Sequence, residues 1–163
     1  VNCFSNRGTS GIDGCVSTAA GAAYVNNQFT ICVTGDISFF YDSNALWNNY
    51  LTPNFRIIVI NNGGGNIFRL LDGPQRVNDF EKYFETKHTL TAQHLASMYG
   101  LPYYICASQN QLDEVLKTFY NESAKPKILE IKTDGELSAS VYKNYFKQLK
   151  KKIADEKKKL EKH

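Results

Sequence analysis

The stretch Thr30-Ile31-Cys32-Val33-Thr34-Gly35-Asp36 and its counterpart Arg56-Ile57-Ile58-Val59-Ile60-Asn61-Asn62-Gly63-Gly64-Gly65 decide the fold of this 163-residue chain. Each starts as a short, nearly all-apolar run rich in β-branched residues and ends on small polar residues and glycine. Runs of this kind are strands of a parallel sheet covered by helices on both faces, so both are expected at its centre. Outward from this pair, whose strand-like runs span 29–34 and 55–61, further strands are expected at 2–5, 102–107 and 127–133. Helical patterns fall at 11–25, 42–51, 91–99 and 109–121, with another from 138 onward. Strands alternating with helices imply βαβ units, so the expected fold class is α/β, three layers (α/β/α) around a parallel sheet.

Composition agrees with one globular domain. Hydrophobic residues make up 42% of the chain, enough for a core and too many for disorder. No run approaches the ~20 apolar residues that cross a bilayer. The net charge of +3 is unevenly placed. Residues 143–163 hold nine lysines against three acids, a net +6; the other residues hold ten bases and thirteen acids, a net −3. A protein that grips a phosphate backbone carries its positive charge on the folded body. This body is mildly acidic, so neither nucleic acid nor membrane is expected as a partner, and the lysine-rich tail is read as a solvated helix.

Cys3, Cys15, Cys32 and Cys106 are far apart and form no CxxC pair. Three of them, Cys15, Cys32 and Cys106, sit in apolar company, and lone cysteines of that kind are expected as buried, reduced thiols, which implies a reducing, cytoplasmic compartment. The chain opens on Val1-Asn2-Cys3-Phe4 without an initiator Met or signal-like segment and reads as a piece of a longer protein. His88 and His94 lack the i, i+4 spacing of a helical metal site and are expected at surface or structural positions. No GxSxG, GxxxxGK or GxGxxG motif occurs, which removes the commonest hydrolase, Walker and dinucleotide-binding readings.

The residues able to do chemistry lie where the two deciding strands end. In a parallel sheet Gly35-Asp36 and Asn61-Asn62-Gly63-Gly64-Gly65 face the same edge, the edge at which α/β folds bind ligands. Asp36 offers a carboxylate, Asn62 a carbonyl oxygen and the glycine turn its backbone oxygens. These hard ligands suit an octahedral Mg²⁺ that leaves positions for phosphate oxygens. The glycines also allow backbone N–H groups close to a diphosphate. Taken singly, Asp36 reads as a helix cap and Asn-Asn-Gly as a turn; the pairing of the two, 26 positions apart across a helix and a strand, favours the metal site. The irregular segment 63–87 that follows is a site candidate or a surface excursion.

GlyAsp followed after this interval by AsnAsn resembles the signature of thiamine-diphosphate enzymes. Three stretches narrow the resemblance: Ser5-Asn6-Arg7-Gly8-Thr9-Ser10-Gly11-Ile12-Asp13-Gly14, Gly35-Asp36-Ile37-Ser38-Phe39-Phe40-Tyr41-Asp42-Ser43-Asn44-Ala45-Leu46 and Asn61-Asn62-Gly63-Gly64-Gly65-Asn66-Ile67-Phe68. They look like the 2-succinyl-5-enolpyruvyl-6-hydroxy-3-cyclohexene-1-carboxylate synthases of menaquinone biosynthesis. Most decarboxylases and acetolactate synthases carry GlyAspGly where this chain has GlyAspIleSer. The match is strong over residues 5–71 and one of layout beyond.

The resemblance implies that residues 1–163 are the C-terminal diphosphate-binding domain of a three-domain transferase, with 138–163 a basic C-terminal helix. It implies thiamine diphosphate and Mg²⁺ as cofactors, with the metal held by Asp36, Asn62 and the Gly64 carbonyl. Gly35, Ser38, Asn66 and Ile67 would contact the diphosphate, Ile12 would prop the cofactor, and Phe68 with Leu71 would line the site. Arg7 matches a substrate-carboxylate arginine, and both family substrates, 2-oxoglutarate and isochorismate, are acids that a guanidinium binds bidentately. The family decarboxylates 2-oxoglutarate and adds the resulting succinyl-semialdehyde carbanion to isochorismate. Its pyrimidine-binding and middle domains are partners of this one, its subunits form a homo-oligomer, and its cofactor-activating glutamate lies in the pyrimidine-binding domain. No catalytic residue is therefore expected within this chain, which alone should be inactive. Another thiamine-diphosphate carboligase or 2-oxo acid decarboxylase, and a non-catalytic diphosphate-binding module, remain as alternatives.

Overall fold

The computed structural model describes residues 1–6, 10–26, 28–71 and 73–160. It divides into two compact units, one of residues 1–64 with 88–133 and the other of 65–87 with 134–163.

The first unit carries α1 (Cys15–Val25), β1 (Thr30–Gly35), α2 (Asp36–Tyr41), β2 (Phe55–Asn61), α3 (Gln93–Met98), β3 (Tyr103–Cys106), α4 (Gln109–Phe119) and β4 (Lys127–Lys132). The strands form one parallel sheet in the order β1-β2-β4-β3. Successive side chains of a strand face opposite ways, and the two faces have separate cores. Ile57, Val59 and Ile128 pack with Val16 and Ala23 of α1, Phe39 of α2 and Ala96 of α3. On the other face Ile58, Leu129 and Ile131 meet Leu112, Val115, Leu116 and Phe119 of α4. These four sit at i, i+3, i+4 and i+7, the apolar stripe of a helix lying on a sheet. Each fully buried side chain of this size contributes about 1.5–3 kcal/mol, and the result is the expected α/β/α layering.

Two cations inside strands have a structural reason. Arg56, 1% exposed, donates to the carbonyls of Phe119 (2.9 Å) and Asn121 (2.7 Å), and Lys127 Nζ to those of Thr118 and Asn121 (2.9 Å each). The last carbonyls of α4 would otherwise be buried without donors, and the cations also answer the negative end of the helix. Burial pulls both side chains below their ordinary pKa values.

Several expectations are corrected. β1 is an edge strand rather than a central one. Cys32 and Thr34 point into the core while Ile31 and Val33 are exposed, because among the described residues no strand pairs with its outer side. Residues 2–5 form no strand; they are exposed and join no ladder. The first helix begins at Cys15, not at residue 11, after Gly14 with φ 74°, a conformation that glycine adopts without strain. In place of the helix expected over 42–51 there is only a 3₁₀ turn at Ser43–Leu46, and the helix of this region, α2, lies before it. Asp42 leaves the helical path because its buried carboxylate accepts both the N–H and the hydroxyl of Ser17, each at 2.6 Å. Cys32 and Cys106 are buried and Cys15 is half-buried, whereas Cys3 is exposed. No helix of the described residues is long and apolar enough to cross a membrane.

The second unit holds α5 (Gly135–Leu160), which starts three residues earlier than expected because the Asp134 side chain accepts the Leu137 N–H at 2.7 Å. The segment expected to be irregular contains 3₁₀ turns at Asn66–Arg69 and Pro74–Arg76 and a π turn at Glu81–Glu85. Arg69 organises it. The guanidinium grips both oxygens of buried Glu85, reaches Glu81 (2.9 Å) and Glu136 (3.5 Å), and lies 5.5 Å from the centre of the Phe80 ring. The Glu85 hydrogen bonds keep it firmly charged. The lysine-rich stretch is helical to Leu160, and the last three residues of the basic helix expected over 138–163 lie outside the described residues.

Candidate functional site: the edge where β1 and β2 end

Register sets the site. Gly35 pairs with Ile60, so Asp36, the next residue, stands level with Asn61, and Asn62 follows at once. Asp36 opens α2, but the cap position belongs to Gly35, and the Asp36 carboxylate instead reaches across to the glycine turn. Oδ2 accepts the N–H groups of Gly63 (2.8 Å) and Gly64 (3.1 Å), and Oδ1 accepts that of Ile37 (2.8 Å). Asp36 is 2% exposed. An unpaired buried carboxylate is costly; these donors stabilise the charge and fix its direction. Gly63 has φ 78°, and this turn is what aims two consecutive N–H groups at one oxygen.

Beside this carboxylate is a polar atom with no partner. Asn62 Oδ1 is buried and accepts no hydrogen bond, which costs roughly 1–3 kcal/mol unless a ligand supplies what is missing. A carboxylate, an orphaned amide oxygen and the buried backbone of Gly64 form an all-oxygen donor set of the kind that Mg²⁺ takes. The residues present therefore fit the metal. Ser38 lies in the first turn of α2, where N–H groups have no partner earlier in the helix; its hydroxyl donates to the Ile12 carbonyl at 2.6 Å. That bond ties Ile12, 41% exposed, to the helix that carries Asp36.

Asn66, Ile67, Phe68 and Leu71 belong to the second unit. Asn66 Oδ1 is buried without a partner, Phe68 packs edge-on against Phe84 (5.7 Å between ring centres), and Ile67 and Leu71 are exposed. Arg7 lies outside the described residues.

Two features of the site escaped the sequence reading. His88, expected at a surface or structural position, is 12% exposed at its side chain, with Nε2 3.3 Å from Asp36 Oδ2. Nothing in its local sequence marks it. Glu130, in the middle of β4, is fully buried. Its Oε2 accepts from Thr91 Oγ1 (2.7 Å), the Ala92 N–H (3.0 Å) and Tyr103 OH (2.6 Å), and its Oε1 from Asn61 Nδ2 (2.5 Å) and Lys132 Nζ (2.7 Å). Burial pushes this carboxyl up, but the bonds from Lys132, Tyr103, Thr91 and Asn61 outweigh it and hold the group below the ordinary glutamate range. The signal in the sequence was a carboxylate flanked by Leu129 and Ile131 in a strand too apolar to leave it in water.

The glycine N–H groups expected to approach a diphosphate are taken up within the chain, those of Gly63 and Gly64 by Asp36 and that of Gly65 by the Glu85 carbonyl at 2.7 Å. A parallel α/β sheet that gathers a carboxylate and an unpartnered amide oxygen at its C-terminal edge has the layout of a ligand-binding α/β domain. The chain belongs to the thiamine pyrophosphate enzyme family as its C-terminal TPP binding domain, which it matches over residues 2–131. Among curated relatives, it is 51% identical over 147 residues to the 2-succinyl-5-enolpyruvyl-6-hydroxy-3-cyclohexene-1-carboxylate synthase of Christiangramia forsetii, covering 90% of this chain and 26% of that protein. With the synthase of the same name from Flavobacterium johnsoniae it shares 52% identity over 149 residues, 91% of this chain and 27% of that protein. The likeness thus extends well past the motif-bearing residues 5–71. The chain spans about a quarter of the length of these relatives. In fold it is similar to the X-ray structure of a protein described as a thiamin diphosphate-dependent enzyme from Mycobacterium smegmatis, with a TM-score of 0.55, 21% identity, and coverage of 78% of this chain and 23% of that one.

Proposed function

We propose that this chain is the Mg²⁺–diphosphate half-site of a cytoplasmic 2-succinyl-5-enolpyruvyl-6-hydroxy-3-cyclohexene-1-carboxylate synthase. That enzyme decarboxylates 2-oxoglutarate and joins the remaining four-carbon unit to isochorismate. The observation that carries the reading is the orphaned, buried Asn62 Oδ1 on the turn whose next two N–H groups bind Asp36. Thiamine diphosphate, when bound, supplies the electron sink for losing carbon dioxide.

The chain's own residues bind and orient. Asp36, Asn62 and the Gly64 carbonyl hold Mg²⁺. Gly35 and the Ser38 N–H contact the diphosphate, since the Ser38 hydroxyl is already committed to Ile12, and Ile12 props the cofactor. Asn66 and Ile67 are assigned to the diphosphate, Phe68 and Leu71 to the lining of the site, and Arg7 to a substrate carboxylate; these assignments rest on the family resemblance. The pyrimidine-binding and middle domains, and the homo-oligomer that completes the site, are assigned to the rest of the longer protein.

The test is to supply the full-length protein with 2-oxoglutarate, isochorismate, thiamine diphosphate and Mg²⁺ and to identify the product by mass. The adduct of both substrates is expected. Carbon dioxide release without an isochorismate adduct would favour a simple 2-oxo acid decarboxylase, and failure to bind the cofactor would overturn the reading.

A further inference from the structure

We propose that Asn61 is the positioning residue of the metal-binding turn: its side-chain amide, oriented by Glu130, takes the Gly63 N–H and holds Asn62 with its amide oxygen free for a divalent cation. This inference rests on the Mg²⁺–diphosphate reading of the site. An amide side chain has two unlike ends, and its neighbours decide which way this one faces. Asn61 is 2% exposed, and its NH₂ donates to Glu130 Oε1 at 2.5 Å and to the Leu90 carbonyl at 3.0 Å. A carboxylate and a carbonyl only accept, and an amide nitrogen has two hydrogens. The NH₂ end is therefore fully used, and Oδ1 faces the other way, where it accepts the Gly63 N–H at 3.0 Å.

A bond from the side chain of residue 61 to the N–H two residues on closes a ring around Asn62, the side-chain counterpart of a backbone turn. The same N–H also donates to Asp36 Oδ2 at 2.8 Å, so one donor ties the turn to the carboxylate beside it. The backbone is pinned on both sides of Asn62: the Asn61 carbonyl accepts the Thr133 N–H, and the Gly63 carbonyl accepts the His88 N–H, each at 2.9 Å. Glu130 is itself fixed by Thr91, Ala92, Tyr103 and Lys132. The groups flanking Asn62 thus satisfy one another, while Asn62 Oδ1 is buried without a partner. A network that engages the groups around one oxygen and leaves that oxygen unpartnered presents it to a ligand. Supports of this kind orient a metal ligand and set its affinity.

The test compares two pairs of variants in the full-length protein, Asn61→Ser with Asn61→Ala and Asn61→Thr with Asn61→Val. All four lose the bonds to Glu130 and Leu90, so thermal unfolding without ligands should differ little within a pair. Only Asn61→Ser and Asn61→Thr keep an oxygen that can accept the N–H two residues on. Mg²⁺ is titrated calorimetrically at a fixed excess of thiamine diphosphate. Asn61→Ala and Asn61→Val are expected to bind Mg²⁺ at least about tenfold more weakly than wild type, the usual cost of removing a metal ligand's support. The hydroxyl member of each pair should bind at least about threefold more tightly than its partner, near the low end of what a neutral hydrogen bond contributes. Affinity within about twofold of wild type in Asn61→Ala or Asn61→Val, or no difference within either pair, overturns the proposal. Hydrogen exchange of the wild-type protein without Mg²⁺ decides the matter even where no variant folds. Slow exchange of the Gly63 amide is expected, and exchange at the rate of an unstructured peptide would show that the chain does not hold the turn. Failure of the underlying site reading looks different: Asp36→Ala would then bind Mg²⁺ and cofactor as wild type does, while the Gly63 amide of the wild type stays protected.

Discussion

Replacing Glu130 by glutamine tests the buried network that holds Asn61 and the segment leading to His88. Five donors converge on this carboxylate, three on Oε2 and two on Oε1. Glutamine keeps one acceptor oxygen. Turned toward Thr91, Ala92 and Tyr103, it leaves its own NH₂ against Asn61 Nδ2 and Lys132 Nζ, which lose their bonds to Oε1 and keep only the Leu90 carbonyl (3.0 and 3.4 Å) as a shared acceptor. Two charge-assisted hydrogen bonds disappear, each worth about 1.5–3 kcal/mol. The Lys132 side chain is 35% exposed and regains water, so the net loss for Glu130→Gln is about 2–4 kcal/mol at pH 7. The pH dependence is a second signature. Glu130 titrates below the ordinary glutamate range in the folded chain. Its contribution is therefore complete above the unfolded value of about 4.3 and is lost as the pH falls through the lowered folded value. The gap between wild type and variant should narrow on that descent, since a protonated glutamate is nearly a glutamine. Urea unfolding of residues 1–163, followed by circular dichroism from pH 7 to below pH 4, measures both quantities. A gap under about 0.5 kcal/mol at pH 7, or one that ignores pH, would refute the reasoning.

Two further outcomes are expected. Burial pushes the Cys32 thiol up to about 11 and raises that of Cys106, while Cys3 is exposed; a chromogenic disulfide at pH 8 should label Cys3 at once and reach Cys32 and Cys106 only on unfolding, and prompt labelling of either would contradict the packing described. Residues 1–163 alone, supplied with thiamine diphosphate and Mg²⁺, should release no carbon dioxide from 2-oxoglutarate while the full-length protein does, and turnover near that of the full-length protein would show that cofactor activation does not need the rest of the chain.

The sheet was legible because its strands are short apolar runs punctuated by glycine and asparagine, and β2, β3 and β4 fall where that pattern puts them. The position of β1 was not, because the same composition serves an edge strand and a central one; Ile31 and Val33 differ from Ile57 and Val59 only in what lies over them. The 42–51 helix failed for a tertiary reason, the capture of Asp42 by Ser17, which no local propensity encodes. At the site, Asp36 and Asn62 could be read from the ends of two runs because parallel strands bring those ends to one edge. His88 and Glu130 could not be placed there, since their partners are fixed by the return of 88–92 along the sheet edge and by strand order. Ser38 was legible as a residue near the site but not in its use, because the hydroxyl bond to Ile12 depends on how the loop before α1 folds back.

In the proposed half-site Asp36, next after the last residue of β1, holds the metal through which a diphosphate binds. Calorimetric titration of thiamine diphosphate into the full-length protein, with Mg²⁺ and again with a chelator, tests it most directly when wild type is compared with Asp36→Ala and with Glu114→Ala, whose carboxylate is exposed on α4. Binding that requires Mg²⁺ in wild type and Glu114→Ala and is lost in Asp36→Ala is the predicted result; unchanged, Mg²⁺-dependent affinity in Asp36→Ala would contradict the account.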